Sequence, residues 1–186
     1  LLLCPNHLTM IDSAIVAWGL ASPLRYAVRY RLLPWNLPEQ SNFASPLVRA
    51  LCYLAKCLPI HRGGARGPQQ AVFAKCTRLL RDGHPVLVFP EGRRSRTGRI
   101  DSSAMAHGVG RLVRSVPDCA VLCVYLRGDH QIRHSTVPRR GECFSMDLKL
   151  IRPHSSSGGV RGSREVTIAI LAELEAMEQA HHVRRQ

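Results

Sequence analysis

A histidine and an aspartate five residues apart, His7 and Asp12, stand where the apolar run Leu1-Leu2-Leu3-Cys4 gives way to a helix-like segment from Ser13 to Trp18. The apolar run reads as a buried strand that ends at Pro5-Asn6. Asp12 falls at the N-cap or first turn of the following helix, so the chain can fold back and bring the carboxylate to the imidazole. A carboxylate that accepts from one ring nitrogen fixes the tautomer and leaves the other nitrogen free as a base. The competing reading is an aspartate that only caps its helix beside a histidine that happens to lie in a loop.

Two more polar groups follow apolar runs in the same way. His61-Arg62 comes after Cys57-Leu58-Pro59-Ile60, and Glu91-Gly92-Arg93-Arg94-Ser95-Arg96 comes after Pro85-Val86-Leu87-Val88-Phe89-Pro90. Three strand ends at one edge of a parallel sheet would gather all three groups. An acid–base pair beside guanidinium groups suits acyl transfer from a bulky thioester to a phosphate-bearing alcohol. The base removes the hydroxyl proton, and the arginines hold the phosphate bidentately. The plainer alternative is a solvated basic loop in which Glu91 pairs with one of its arginines. Cys4, three residues before His7, invites a covalent route, but a thiol inside an apolar strand reads as core.

The elements that must position these groups alternate along the chain. After the first helix, Arg25–Tyr30 reads as a second strand and Pro34–Pro38 as a loop. A helix runs from Ser45-Pro46 to about Ala55, with proline at its first position, and Cys57–Ile60 reads as a strand. Gln69–Arg81 is helical and closes at Asp82-Gly83, and Pro85–Phe89 has the continuous apolar character of a buried parallel strand. Ala104–Ser115 reads as a helix, Ala120–Leu126 and Phe144–Ile151 as strands, and Ser163–His181 as the last helix. Ser155–Gly159 reads as a flexible connector. This alternation predicts a single-domain α/β sandwich over residues 1–186, with a largely parallel or mixed central sheet flanked by helices.

Composition narrows the partners. The 186 residues are 45% hydrophobic and 21% charged, enough for one core without disulfides or metals. Lys+Arg 26 against Asp+Glu 13 gives a net charge of +13, a field that attracts phosphorylated molecules, anionic bilayers or nucleic acid. Aromatics are 5%, with no stacking rings set into a basic helix and no zinc-finger or RNA-recognition signature, so nucleic acid is not the expected partner. The seven cysteines form no Cys-x-x-Cys pair and sit mostly in apolar segments, which suits a reducing cytosol. His130 and His134 lie one turn apart beside Asp129 in an arginine-rich loop and read as solvated, so no metal is expected. The sequence lacks an apolar run of about 18 residues. Membrane association is therefore expected to be peripheral, or through an N-terminal segment that residues 1–186 lack.

Asn6-His7-x-x-x-x-Asp12 together with Phe89-Pro90-Glu91-Gly92-x-Arg94-Ser95, about eighty residues later, resembles the glycerolipid acyltransferase family typified by 1-acylglycerol-3-phosphate acyltransferase. Ile60-His61-Arg62 is similar to that family's second block, and Val121–Leu126 occupies the place of its fourth. The resemblance implies His7 as general base, Asp12 as its orienting partner, and an acceptor site shaped by Arg62, Glu91, Gly92, Arg93, Arg94 and Ser95. It further implies acyl-CoA or acyl-carrier protein as co-substrate with no cofactor, a lyso-lipid acceptor, and a place on the cytoplasmic face of an anionic membrane. Arg93 stands where threonine is usual, Leu122-Cys123-Val124 replaces Val-Pro-Val, and Met105-Ala106 replaces Phe-Lys ahead of His107-Gly108. These departures leave the acid–base pair intact and bear on the acceptor. The contrasting expectation is a non-catalytic basic module that binds acidic head groups or polyanions.

Overall fold

A computed structural model describes residues 1–39, 45–60 and 66–185. In the described residues β1 (Leu2–Pro5), β2 (Trp35–Asn36), β3 (Val86–Leu87), β4 (Val121–Gly128) and β5 (Phe144–Ile151) form one sheet in the order β2-β3-β1-β4-β5. The first four strands run parallel, with Leu3 opposite both Leu87 and Leu122. β5 closes the edge antiparallel to β4, from Val121 opposite Ile151 to Gly128 opposite Phe144. The helices are α1 (Asp12–Leu20), α2 (Pro23–Val28), α3 (Pro46–Leu54), α4 (Arg66–Arg81), α5 (His107–Ser115) and α6 (Gly159–Val183).

Side chains alternate across β1, and each face meets its own helices. Leu2 and Cys4 join Val86, Val121, Cys123 and Tyr125 under apolar residues of α4, α5 and α6. Leu3 faces the other way and packs with Leu87, Val124 and Leu126 against Val16 of α1. Burial on both faces explains why the parallel strands read as continuous apolar runs. α5 and α6 approach closely at Gly110. A Cβ there would lie 1.8 Å from the Ser163 carbonyl oxygen, and the Gly110 amide instead donates to Thr167 Oγ1 at 3.0 Å.

Four local expectations are corrected. Arg25–Tyr30 is not a strand. Ser22 caps α2 by accepting from the Arg25 amide, Pro23 takes the first helical position, and a 3-10 turn follows at Tyr30–Leu32. The short strand lies in the expected Pro34–Pro38 loop instead, where the Trp35 amide donates to the Pro85 carbonyl. Cys57–Ile60 contributes isolated bridges, Asn36 to Cys57 and Glu39 to Ile60, because Pro38 between them has no N–H to give to the Leu58 carbonyl. The serine-rich connector is also tied down. Ser155 and Ser157 hydroxyls donate to Glu165 of α6, and Arg114 of α5 donates to the Ser157 and Gly159 carbonyls.

Candidate active site

The carboxyl ends of β1, β3 and β4 meet at one edge of the sheet, and the turn after β1 is fastened there. Asn6 replaces a further ladder residue with its side chain: its amide nitrogen donates to the Leu126 carbonyl at 3.0 Å, and its oxygen accepts from the Leu126 amide at 2.7 Å. The chain then turns through His7, Leu8 and Thr9 into α1. Leu8 and Met10 exchange backbone hydrogen bonds with Ser135 and Thr136, so the arginine-rich loop after β4 braces this turn from outside.

Asp12 does not cap α1. The residue at the cap position is Ile11, which makes no side-chain cap bond, and Asp12 is the first helical residue. Its carboxylate reaches back instead. Oδ2 accepts from the Leu8 amide at 2.6 Å, the Thr9 amide at 2.7 Å and His7 Nδ1 at 3.0 Å, and Oδ1 accepts from the Thr9 hydroxyl. Asp12 is 2% exposed and Thr9 fully buried, whereas the His7 side chain keeps 13% exposure. Phe89 supports the opposite surface of the ring, stacked with centroids 3.8 Å apart and 15° between planes. Among the described residues Nδ1 alone of the two ring nitrogens has a hydrogen-bond partner.

The segment after β3 is locked to the same turn. Glu91 is fully buried, and its Oε1 accepts from the His7 amide at 2.8 Å while Oε2 accepts from the Asp101 amide at 3.0 Å. Burial, reinforced by the charges of Asp101 and Glu178, pushes its carboxyl up to about 7 despite the two amide bonds. Gly92 has φ +71, a left-handed turn that glycine adopts without strain. The Ser95 amide donates to the His7 carbonyl at 2.9 Å, and its buried hydroxyl donates to the Arg99 carbonyl. Glu91 and Ser95 thus each have hydrogen-bond partners within the protein, and both are tied to the His7 turn.

The arginines divide. Arg93 is exposed and pairs with Asp101 at 2.9 Å. Arg94 is half-buried and forms no hydrogen bond or ion pair among the described residues. Arg62 lies outside the described residues. Cys4 is fully buried among Cys119, Cys123 and apolar neighbours, and burial holds its thiol well above the ordinary range, the opposite of what a nucleophile needs.

A groove of about 920 Å³, lined mainly by apolar residues of α4, α5 and the segment that follows β3, opens against Phe89. Phe89 belongs both to this groove and to the His7 stack, and Gly92 also reaches the groove wall. Val72, Phe73, Val88 and Leu112 supply apolar surface, and Gly108 leaves open space at the start of α5. An elongated apolar ligand set in this groove would lie against Phe89, the ring that stacks on His7. Sequence reasoning missed the groove because its walls come from separate elements. It also missed Thr9, whose signal was a hydroxyl residue three positions before the carboxylate it holds.

The family model described as Acyltransferase matches residues 1–127. No curated protein matches the sequence. Among solved structures, the fold is similar to the crystal structure of the 1-acyl-sn-glycerophosphate (LPA) acyltransferase, PlsC, from Thermotoga maritima, with a TM-score of 0.50 and 13% identity. The match covers 92% of this chain and 63% of that one, so the chain spans less than two thirds of that relative's length.

Proposed function

We propose that this chain, which belongs to the acyltransferase family, moves a fatty acyl group from acyl-CoA or acyl-carrier protein to the hydroxyl of a lyso-glycerolipid such as 1-acylglycerol-3-phosphate, at the cytoplasmic surface of a membrane. The observation that carries this reading is the 3.0 Å contact between His7 Nδ1 and Asp12 Oδ2, with Asp12 immobilised by two backbone amides and the Thr9 hydroxyl. A carboxylate so held keeps the proton on Nδ1 and leaves Nε2 to act as base.

In the proposed reaction Nε2 takes the proton of the acceptor hydroxyl as its oxygen attacks the thioester carbonyl. Asp12 stabilises the imidazolium that forms. The tetrahedral adduct then expels the thiolate, the C–S bond breaks, and the thiolate takes the proton back from His7, which leaves an oxygen ester and a free thiol. No acyl-enzyme is needed, in keeping with the buried, weakly acidic Cys4. The acyl chain lies in the groove beside Phe89, and Arg94, with Arg62, binds the acceptor phosphate as a charge-assisted pair.

The test is an acyl-transfer assay with acyl-CoA and acyl-carrier protein against a panel of lyso-lipids. His7→Ala is expected to lose about 100-fold or more of turnover, the scale of a positioned general base, with its unfolding midpoint unchanged. Wild-type turnover by folded His7→Ala would refute the mechanism.

A further inference from the structure

Outside the site, one surface has a composition that the reaction does not use. α2 buries none of its residues. Leu24 is 74% and Val28 76% exposed, one turn apart on the same face, and Leu32 in the following turn is 40% exposed. The Tyr26 hydroxyl donates to the Ala17 carbonyl, which seats α2 beside α1 next to Trp18, itself 72% exposed. The Tyr30 hydroxyl donates to the Leu54 carbonyl and joins the end of α3, where Leu54 is 66% exposed. Large side chains on a short helix that packs none of them lose nothing by leaving water for another apolar medium.

The charge on this surface selects that medium. α2 and the turn that follows it carry Arg25, Arg29 and Arg31 and no acid. Arg25 and Arg29 lie within and just after α2 and Arg49 lies in α3, and among the described residues these three form no ion pair. Long arginine stems lie along apolar surface while their heads stay at a polar boundary, and tryptophan and tyrosine favour that same depth. A protein partner with an apolar, acidic surface would need a matching shape. A bilayer with anionic head groups needs only this alternation of apolar and cationic groups. Among the described residues no helix is long and apolar enough to cross a membrane.

We propose that the face formed by Trp18, α2 and the end of α3 docks on an anionic phospholipid surface, with Leu24, Val28 and Trp18 entering the head-group region and Arg25 and Arg29 pairing with lipid phosphates. This rests on the reading that the acceptor is a bilayer lipid, and it adds a second contact with the membrane that does not belong to the catalytic machinery. Binding then has an apolar component as well as an electrostatic one. It weakens with salt but does not vanish, because the apolar contacts are not screened.

The experiment uses the whole chain with phosphatidylcholine vesicles, with and without phosphatidylglycerol. Trp35 is buried, so Trp18 is the tryptophan whose emission can respond to lipid. Expected results are a blue shift of Trp18 on phosphatidylglycerol vesicles, quenching by brominated phosphatidylcholine in them, and vesicle binding weakened roughly tenfold or more by either L24S/V28S or R25E/R29E. Turnover of a short-chain, water-soluble lyso-lipid should be unchanged in both variants, since neither touches the site. Unquenched Trp18, or variants that bind vesicles as wild type does, would overturn the proposal. So would a loss of self-association in L24S/V28S without loss of vesicle binding, which would make the face a contact between copies. A protein that docks as described but transfers no acyl group would sink the functional reading and leave the docking face standing.

Discussion

The backbone amide of His7 and the carboxylate of Glu91, 84 positions apart in sequence, are joined by a 2.8 Å hydrogen bond in the interior of the site. The second oxygen of Glu91 accepts from the Asp101 amide, so one side chain holds both the turn that carries His7 and the loop that carries the arginines. Burial pushes this carboxyl from 4.5 up to about 7. The folded state therefore holds the proton to higher pH than the unfolded chain does. Stability contributed by this group is greatest below about pH 4.5, falls as pH rises, and levels off above about pH 7. A shift of this size corresponds to about 3 kcal/mol. Glu91→Gln removes the titration but also one acceptor, since an amide nitrogen cannot accept from Asp101. Urea unfolding should show the wild type losing up to about 3 kcal/mol relative to Glu91→Gln between those pH limits. A constant difference across them would mean that Glu91 does not titrate there.

Asp12→Asn separates orientation from charge. The remaining oxygen can still accept from the Leu8 and Thr9 amides and from Nδ1, and the new amide can donate to the Thr9 hydroxyl, so the turn survives. What disappears is the negative charge beside the imidazolium. Turnover should fall roughly 10- to 100-fold with acceptor KM nearly unchanged. Steady-state kinetics that show wild-type turnover would leave Asp12 a purely structural role.

The contact between His7 and Asp12 was legible in sequence because both lie on one short turn, where spacing alone constrains distance. The α/β class was legible for a related reason: strands buried on both faces read as apolar runs whatever their neighbours. The segment after α1 was misread because Arg25–Tyr30 alternates like a strand, while its fate was decided by Ser22 and Pro23, a cap and a first-turn proline. β2 went unseen since two residues carry no periodicity, and its pairing depends on β3, fifty residues away. Nothing in the sequence context of Glu91 shows that both its oxygens accept from backbone amides. That fact belongs to tertiary structure.

The neighbouring arginines should differ in effect. Arg93 already spends its charge on Asp101 at 2.9 Å, whereas Arg94 has no such partner among the described residues. If Arg94 binds the acceptor phosphate, Arg94→Ala should raise the acceptor KM by roughly ten- to a hundredfold, the equivalent of a lost charge-assisted pair of about 1.5 to 3 kcal/mol. Arg93→Ala should change it only a few-fold. A rise in donor KM with no change for the acceptor would assign Arg94 to the phosphates of the acyl donor.

The groove makes a prediction about chain length. Gly108 lies at the start of α5 and lines the groove, and a Cβ built there meets nothing within 4 Å. A larger side chain can therefore enter the cavity without displacing the backbone, and replacing glycine inside a helix favours the helix by up to about 1 kcal/mol. Leucine at this position occupies volume that the end of an acyl chain would otherwise fill, near Phe73 and Leu112. Gly108→Leu should leave the fold at least as stable and shift donor preference toward shorter chains. Each methylene that no longer enters the groove forfeits about 0.8 kcal/mol, so excluding two of them should lower kcat/KM for the longest accepted donor by roughly tenfold or more. The decisive measurement is kcat/KM across a series of acyl-CoA lengths in wild type and variant. Parallel profiles would show that the chain lies elsewhere, whereas profiles that agree for short donors and separate only for long ones would place the tail of the acyl chain beside α5.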